Sequence, residues 1–398
     1  MTQAQMQAHA EGVGVVRHDR LWLYLLFALL ATAGFFYINI MSAIVDGLIT
    51  GLGFSNAEAG LVGSANIYGA SFGSLCAVFI VRHIRWRPAL LALFLVMMSL
   101  DLASTLIHAP VLLAAVRGVH GVIAGMSVGI VYSVMARLHS PDRAFGVLLV
   151  LQFALGGLGV MLLPQLVPQF GARILFMVLA GLTLLALVSM LAVPKSLTGN
   201  GTKDDRAEAP TRYLRPVVLL SLLALFLFQA GNMALAAFII RLGEHAQLER
   251  GFIGDALGWA TWLGTAGAVL VIVMGARFGR LRPLFAAFLL TLVGTAGFLW
   301  SSNPLVFLIA NIGTAITWSF VVPYLFGMIS QLDSSGRLAT LGGFVSKCGL
   351  ASGPLLAGLL LRSDNFDLLI WLSVLVLAVS AMAAFMAAQR IDQQEVSA

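Results

Sequence analysis

Charge is scarce in this sequence. Asp, Glu, Lys and Arg make up 10% of 398 residues, where a soluble globular domain carries about 25%, and hydrophobic residues make up 60%. Such a chain cannot stay in water as a folded globule, so it reads as an integral membrane protein. Cysteine is almost missing: Cys76 and Cys348 both lie inside apolar runs, which leaves no disulfide framework and no thiolate metal site, only small packing residues. No Gly-x-x-x-x-Gly-Lys-Ser/Thr phosphate loop occurs, which excludes nucleotide hydrolysis as an energy source. Neither a His-Glu-x-x-His motif nor a nucleophile constellation is found, so an intramembrane enzyme is disfavoured and no cofactor or metal is expected. Gly69 to Gly73 and Gly125 to Gly129 match Gly-x-Ser-x-Gly, but inside apolar runs rather than at a strand-to-helix turn.

What remains is a series of apolar runs, each roughly 20 to 27 residues long and without period-two alternation, which excludes a closed barrel and predicts helices. Twelve are long enough to span a bilayer: 21–45, 57–81, 88–109, 110–136, 146–165, 173–193, 214–240, 252–275, 283–301, 304–330, 340–361 and 367–388. The first is too long for a signal-peptide core and has no convincing cleavage site, so it is expected to remain as a helix. Between the sixth and seventh, residues 194–213 hold Lys195, Lys203, Asp204, Asp205, Arg206, Glu208 and Pro210, a charged linker. It separates a bundle at 21–193 from a second at 214–388, with polar tails at 1–20 and 389–398.

The two bundles echo each other. Arg82, Arg85, Arg87 and Pro88 recur as Arg277, Arg280, Arg282 and Pro283, 195 residues later, each set forming a tight basic turn between two spans. Ser140-Pro141-Asp142-Arg143 is likewise matched by Ser334-Ser335-Gly336-Arg337, 194 residues on. Of the 23 Lys and Arg residues, 17 fall on the side of the N-terminus and four on the other, Arg173, Arg241, Arg250 and Arg362, which predicts cytoplasmic termini. Topology thus accounts for the net charge of +6, and no nucleic-acid partner is implied.

Two six-helix halves, a cytoplasmic linker and paired Arg-rich turns resemble the major facilitator superfamily of secondary transporters, over essentially the whole chain. The second basic turn, Gly275-Ala276-Arg277-Phe278-Gly279-Arg280, follows the superfamily's loop signature of Gly, Asp-Arg, Gly and two basic residues; the first copy has Val81 and Ile84 at the acidic and glycine positions. Both copies lack the acid whose ion pair braces the cytoplasmic gate in relatives. Arg117 and Gly121 match the fourth-helix signature Arg-x-x-x-Gly, with His120 where relatives often carry Gln. Gly349, Gly353, Pro354 and Gly358 follow a pattern that drug exporters of the superfamily carry in the fifth helix, whereas the fifth helix here offers Gly156, Gly157 and Gly159.

The resemblance implies an all-α membrane protein, twelve transmembrane helices in two pseudo-symmetric bundles, in a bacterial inner membrane. It implies alternating access around a midplane site between the halves, with Arg82, Arg85, Arg277 and Arg280 at the cytoplasmic gate. A monomer is expected. Small residues at four-residue spacing, Gly69 with Gly73 and Gly349 with Gly353, serve either ordinary helix packing or the sliding seam between bundles.

Ionisable residues inside the spans carry most of the functional information, because charge is expensive in hydrocarbon. Asp46 lies 26 residues after Arg20, and Arg241 lies 26 after Arg215, far enough at about 1.5 Å per residue to reach the outer mouth. They are candidates for an outer latch between the first and seventh helices, or are two unrelated interfacial charges. Asp101 and Arg117 sit eight residues either side of Ala109 in a tight outer turn, which puts them at one depth. Either they pair, joining the third helix to the fourth, or Arg117 faces the cavity as an anion ligand.

His120 is three residues from Arg117 on nearly the same face. It is a candidate proton carrier, as are Asp101 and Asp46, or else a hydrogen-bonded histidine that never titrates. Lys347 stands ten residues beyond Arg337, too deep to snorkel comfortably. It is expected to neutralise an anionic solute or exchange a proton, or to pair with an acid elsewhere, and the repeat sets it opposite Gln152 or Phe153. The cavity-lining helices of the superfamily contribute Tyr37, Asn39, Tyr132, Gln229, Asn232, Asn311, Trp318 and Tyr324.

These residues point to a secondary active transporter of a small organic solute, proton-coupled, leaning to uptake of an organic anion. The alternatives are proton-driven efflux of amphipathic drugs or metabolites, and a non-transporting membrane sensor on the same fold.

Overall fold

The computed structural model describes residues 21–81, 83–138, 141–193, 216–274, 279–332 and 337–396. Twelve helices among them are long and apolar enough to cross a membrane. The first six are Leu21–Asn39, Asn56–Ile80, Trp86–Ser104, Pro110–Met135, Arg143–Phe170 and Arg173–Ala192. The second six are Pro216–Ala237, Arg250–Met274, Leu281–Trp300, Pro304–Gln331, Arg337–Ser363 and Phe366–Gln393. They are numbered spans 1 to 12 in that order. An even number of crossings puts the two ends of the described chain on one face, called here the termini face. The linker expected at 194–213 and the tail at 1–20 lie outside the described residues.

The tandem repeat extends to backbone detail. Span 1 breaks at Ile40 (φ −110°, ψ 24°) and resumes as Met41–Leu52, while span 7 breaks at Phe238 (φ −109°, ψ 13°) and resumes as Ile239–His245. Left-handed residues close matching turns: Gly53 and Gln247 before spans 2 and 8, Gly171 and Asp364 before spans 6 and 12. Span 2 starts on a capping box, in which Ser55 Oγ accepts from the Glu58 amide and the Glu58 side chain accepts from the Ser55 amide.

Span 5 ends further out than the apolar pattern predicts, at Phe170 rather than 165, and keeps Pro164 and Pro168 inside the helix. A proline lacks the N–H that would bond four residues back. Pro168 therefore leaves the carbonyl of Pro164 without its helical donor, and Arg250 of span 8 donates to that oxygen at 2.7 Å.

Apolar packing shows how the halves meet. One buried cluster belongs to the first half (Leu23, Phe27, Phe94, Met135) and another to the second (Leu225, Phe288, Leu325, Leu377), both toward the termini face. A third, on the far face, is built from both halves, with Ile40, Val45 and Leu175 beside Phe238, Ile253 and Phe307. The core is fused at one end and split at the other, so the halves diverge toward the termini face. Polar contacts follow the same division: Asn56 Nδ2 donates to Leu361 O and Asp364 Oδ1, both at 2.9 Å, and Tyr68 shares a 2.7 Å hydrogen bond with Ser352.

The glycine stripes divide between two tasks. Gly69 and Gly73 face the backbone of span 4 in the same half: a Cβ there would stand 2.1 Å from Gly118 O and 2.0 Å from Val122 O. Gly121 and Gly125 return the contact against Asn66 O and Ala70 O at 2.0 and 2.1 Å. Gly349 and Gly353 pack on span 7, also within one half. The seam uses other residues. Gly60 meets Pro354 O, and Gly358 meets Asn56 O.

Overpacking a filled contact costs about 1–3 kcal/mol or more. Gly121→Leu is therefore expected to abolish the monodisperse species in size-exclusion chromatography. Gly313→Ala, where nothing lies within 4 Å of the added carbon, should elute and melt as the parent does.

Candidate functional site

Between the diverging halves lies a cavity of about 630 Å³. The first half contributes Phe35 and Asn39 from span 1, Tyr132 from span 4, and Gln152 and Phe153 from span 5. Gln229 and Asn232 from span 7, Asn311 and Trp318 from span 10, and Ser346 and Lys347 from span 11 face them. Among the described residues, Lys347 and Tyr132 are the ionisable members of this wall, and no carboxylate lines it.

Lys347 projects toward the first half, its Nζ 5.2 Å from the centre of the Phe35 ring. No ion-pair or hydrogen-bond partner for it occurs among the described residues. The π face is the ammonium's neighbour, a weak electrostatic contact compared with a carboxylate. Beside it Trp318 Nε1 donates to Gln229 Oε1 at 2.7 Å, and Gln229 Nε2 donates to Ser346 Oγ at 2.8 Å. That chain fixes the Gln229 amide and crosses three spans.

The remaining amides sort by which end is free. Asn232 and Asn311 donate to the carbonyls of Phe228 and Phe307, each at 2.8 Å, so their oxygens remain as acceptors. Asn39 Nδ2 and Gln152 Nε2 are buried donors without partners. Buried polar groups are normally satisfied, and two orphaned donors in one cavity with a lone ammonium await acceptor atoms.

Six of the eight polar and aromatic side chains expected on the cavity-lining helices are in the wall: Asn39, Tyr132, Gln229, Asn232, Asn311 and Trp318. Tyr37 and Tyr324 are not. Tyr37 packs its ring 4.7 Å beneath the Arg117 guanidinium inside the first half, and Tyr324 stacks on Phe320 with centroids 4.9 Å apart. Phe35 and Ser346 were not singled out, since an apolar neighbour and a small hydroxyl look like ordinary packing. Gln152 and Phe153 were legible through the repeat alone, as counterparts of Lys347.

Arg117 does not face the cavity. It is wholly buried within the first half, donating to Asp101 Oδ1 at 2.6 Å, with Ser104 Oγ at 3.4 Å. His120 completes the cluster. Its Nδ1 lies 3.1 Å from Arg117 Nη2 and 3.0 Å from Asn66 Nδ2, while Nε2 is 3.2 Å from Asp101 Oδ1. A guanidinium can only donate, so Nδ1 is the acceptor of the Arg117 contact. Asn66 also donates to Arg117 O at 3.1 Å, so spans 2, 3 and 4 meet here. Arg117 and His120 as solute ligands are thus corrected: the charge of Arg117 is needed by Asp101, and the enclosing spans leave neither residue in the cavity wall.

The outer latch also has a different partner from the expected one. Asp46 pairs with Arg250, not Arg241; Arg250 binds Glu244 as well, and Arg241 donates to Glu244 at 2.7 Å. Arg250 starts span 8, and the turn closed by Gln247 returns it over span 5, where the Pro164 carbonyl takes its Nε–H. Arg241 is held by an acid one helical turn away. Of the gate arginines, Arg82 and Arg277 lie outside the described residues, and Arg85 is exposed. Arg280 donates to Asp392 Oδ1 at 2.7 Å and Gln331 Oε1 at 2.6 Å, so span 12 supplies an acid that the loop lacks.

Breaking a buried ion pair by removing one partner costs about 3–5 kcal/mol, whereas replacing both with apolar groups is often neutral. Asp101→Ala should lower the melting temperature of the detergent-solubilised protein sharply, and Asp101→Leu with Arg117→Met should recover most of the loss.

Residues 23–346 match the sequence profile of the Major Facilitator Superfamily. No curated protein matches the sequence. Among solved structures, the nucleoside transporter NupG superposes with a TM-score of 0.76 at 11% identity, covering 92% of this chain and 98% of that one. A bacterial homologue of the human lysosomal transporter Spinster, inward-facing and unoccupied, gives 0.74 at 13% identity over 94% and 98% of the two chains. The peptide transporter POT in complex with sulfate gives 0.70 at 14% over 93% and 94%. At such identities the likeness is one of fold. The profile spans most of the chain, and the repeat, the twelve spans and the central cavity agree with it: this chain is a multi-pass membrane protein of the Major Facilitator Superfamily, a secondary transporter of a small solute.

Proposed function

We propose that the protein takes up a small organic anion together with protons across a bacterial inner membrane, as a monomer with both termini in the cytoplasm. The observation that carries this reading is Lys347, an unpartnered cation in the wall of the central cavity. Around it, the orphaned donors of Asn39 and Gln152 suit the remaining oxygens of a carboxylate or similar group. Phe35, Phe153 and Trp318 give the rest of the solute an apolar and aromatic bed. With the termini face cytoplasmic, the cavity opens inward and the far-face seal closes the outer mouth. Uptake then requires Asp46 of the first half to part from Arg250 of the second when the carrier turns outward.

The aromatic wall also favours a second reading, export of amphipathic drugs or metabolites. Binding separates the two. In a thermal-shift screen of the purified protein, 4-hydroxybenzoate, gluconate and benzenesulfonate are expected to raise the melting temperature while cationic dyes do not. Lys347→Ala should abolish that stabilisation, and Arg390→Ala, at an exposed position on span 12, should keep it. Stabilisation by cationic dyes alone would reverse the assignment.

The latch has its own readout. Asp46→Asn is expected to shift the carrier toward the outward-open state, seen as longer spin-label distances between the far-face ends of spans 5 and 8. Exchanging the charges, Asp46→Arg with Arg250→Asp, should restore part of the closure.

A further inference from the structure

We propose that Lys347 is at once the counter-ion of the solute and the carrier of the coupled proton, so that one monovalent anion moves with one proton. This deepens the organic-anion reading and rests on it. The starting point is a charge balance. Asp101 cancels Arg117, and Asp46 with Glu244 cancels Arg250 with Arg241. Among the described residues that line the cavity, Lys347 is the one acidic or basic side chain, and it has no opposite charge beside it.

The groups that face Lys347 do not supply one. Phe35 of span 1 lies against it, and the cavity wall it shares holds Tyr132 of span 4, Gln152 and Phe153 of span 5, Gln229 of span 7 and Trp318 of span 10. On span 11 its neighbours are Ser346 and Cys348. His120, Asp101 and Asp46, the other candidates for a mobile proton, are absent from the wall: His120 is enclosed with Asp101, Arg117 and Asn66, and Asp46 is held by Arg250.

Alternating access requires the cavity to close at both faces before it opens at the other. An ammonium sealed in such a space without a counter-charge is strongly penalised by desolvation. Only two states of Lys347 escape the penalty: the ammonium paired with an anion, and the neutral amine. A lysine can reach the second state, because a primary amine gives up its proton when desolvated, whereas a guanidinium does not.

The cycle follows from those two states. With the cavity open outward, a proton from water adds to the Nζ lone pair and the anion pairs with the ammonium, its other oxygens taking the Asn39 and Gln152 donors. The neutral complex crosses. Facing inward, the anion leaves, an N–H bond breaks, and the proton passes to water. The amine then returns without charge, and no co-reactant is needed.

A single positive charge also selects the solute. An α-amino acid would bring an ammonium into a wall with no carboxylate, and a dicarboxylate would leave one negative charge unmatched. Both should be rejected.

The test uses the full-length protein in proteoliposomes with a trapped pH indicator, and benzenesulfonate as a probe that does not itself carry a proton at neutral pH. Net uptake should acidify the lumen with one proton per anion, follow an imposed pH gradient, and be unchanged by an imposed membrane potential. Lys347→Arg should lower net uptake driven by the pH gradient at least tenfold more than it lowers anion counterflow. Uptake that responds to membrane potential, or net pH-driven uptake retained by Lys347→Arg, would overturn the proposal while leaving anion transport standing. If Lys347→Arg loses counterflow as well, the proton-to-anion ratio and potential response of the parent protein decide the matter alone. Failure of the parent to move or bind any of the monovalent anions would instead remove the organic-anion reading itself. Succinate and phenylalanine should compete at least tenfold more weakly than benzenesulfonate or 4-hydroxybenzoate, and equal competition by either would overturn the charge-matching claim.

Discussion

An unpaired charge inside hydrocarbon is penalised so heavily that a membrane protein must partner each one, shed it, or use it. The interior of this carrier is arranged around that constraint. Arg117 answers Asp101 in the closed interior of the first half, and Arg250 joins Asp46 to Glu244 at the far-face seal. The first pair, with Asn66 of span 2 bonded to it, holds three helices of one bundle together; the second set holds two bundles against each other. Lys347 stands apart in a cavity wall whose other members are amides, hydroxyls, aromatic rings and aliphatic side chains.

Where a charge sits in the repeat decides how it can be used. The halves share their helix breaks, at Ile40 and Phe238, and the left-handed turns that follow. They do not share their ionisable residues. Position 347 answers to Gln152 or Phe153 in the first half, so a symmetric scaffold encloses an asymmetric site. On the proposed reading, a solute held there touches an ammonium from one bundle and amide donors from the other, which links its binding to the relative placement of the two.

The seal illustrates how a local rule acts at a distance. Pro168 cannot donate to Pro164, and the freed carbonyl of span 5 receives the side chain that begins span 8. A helix defect in one half thereby becomes an anchor for the other. Close packing at Gly60 and Gly358 does the same along spans 2 and 11, where backbone meets backbone and no side chain intervenes.

Hydropathy, the 195-residue repeat and the scarcity of charge were enough to determine twelve spans, two bundles and the pairing of Asp101 with Arg117 as an open alternative, because each depends on distances along one helix or across one tight turn. Lys347 was legible for the same reason: its depth follows from its place in a single span. Partner choice between halves was not. Asp46 and Arg241 lie at similar depths, yet Arg250 makes the contact, because the turn around Gln247 and the rotation of each helix about its axis set which side chains meet. Those rotations are products of packing among all twelve helices. Depth is written in the order of residues; azimuth, and with it the choice between cavity, core and seam for Arg117, Tyr37 and the glycine stripes, is decided only when the helices are assembled.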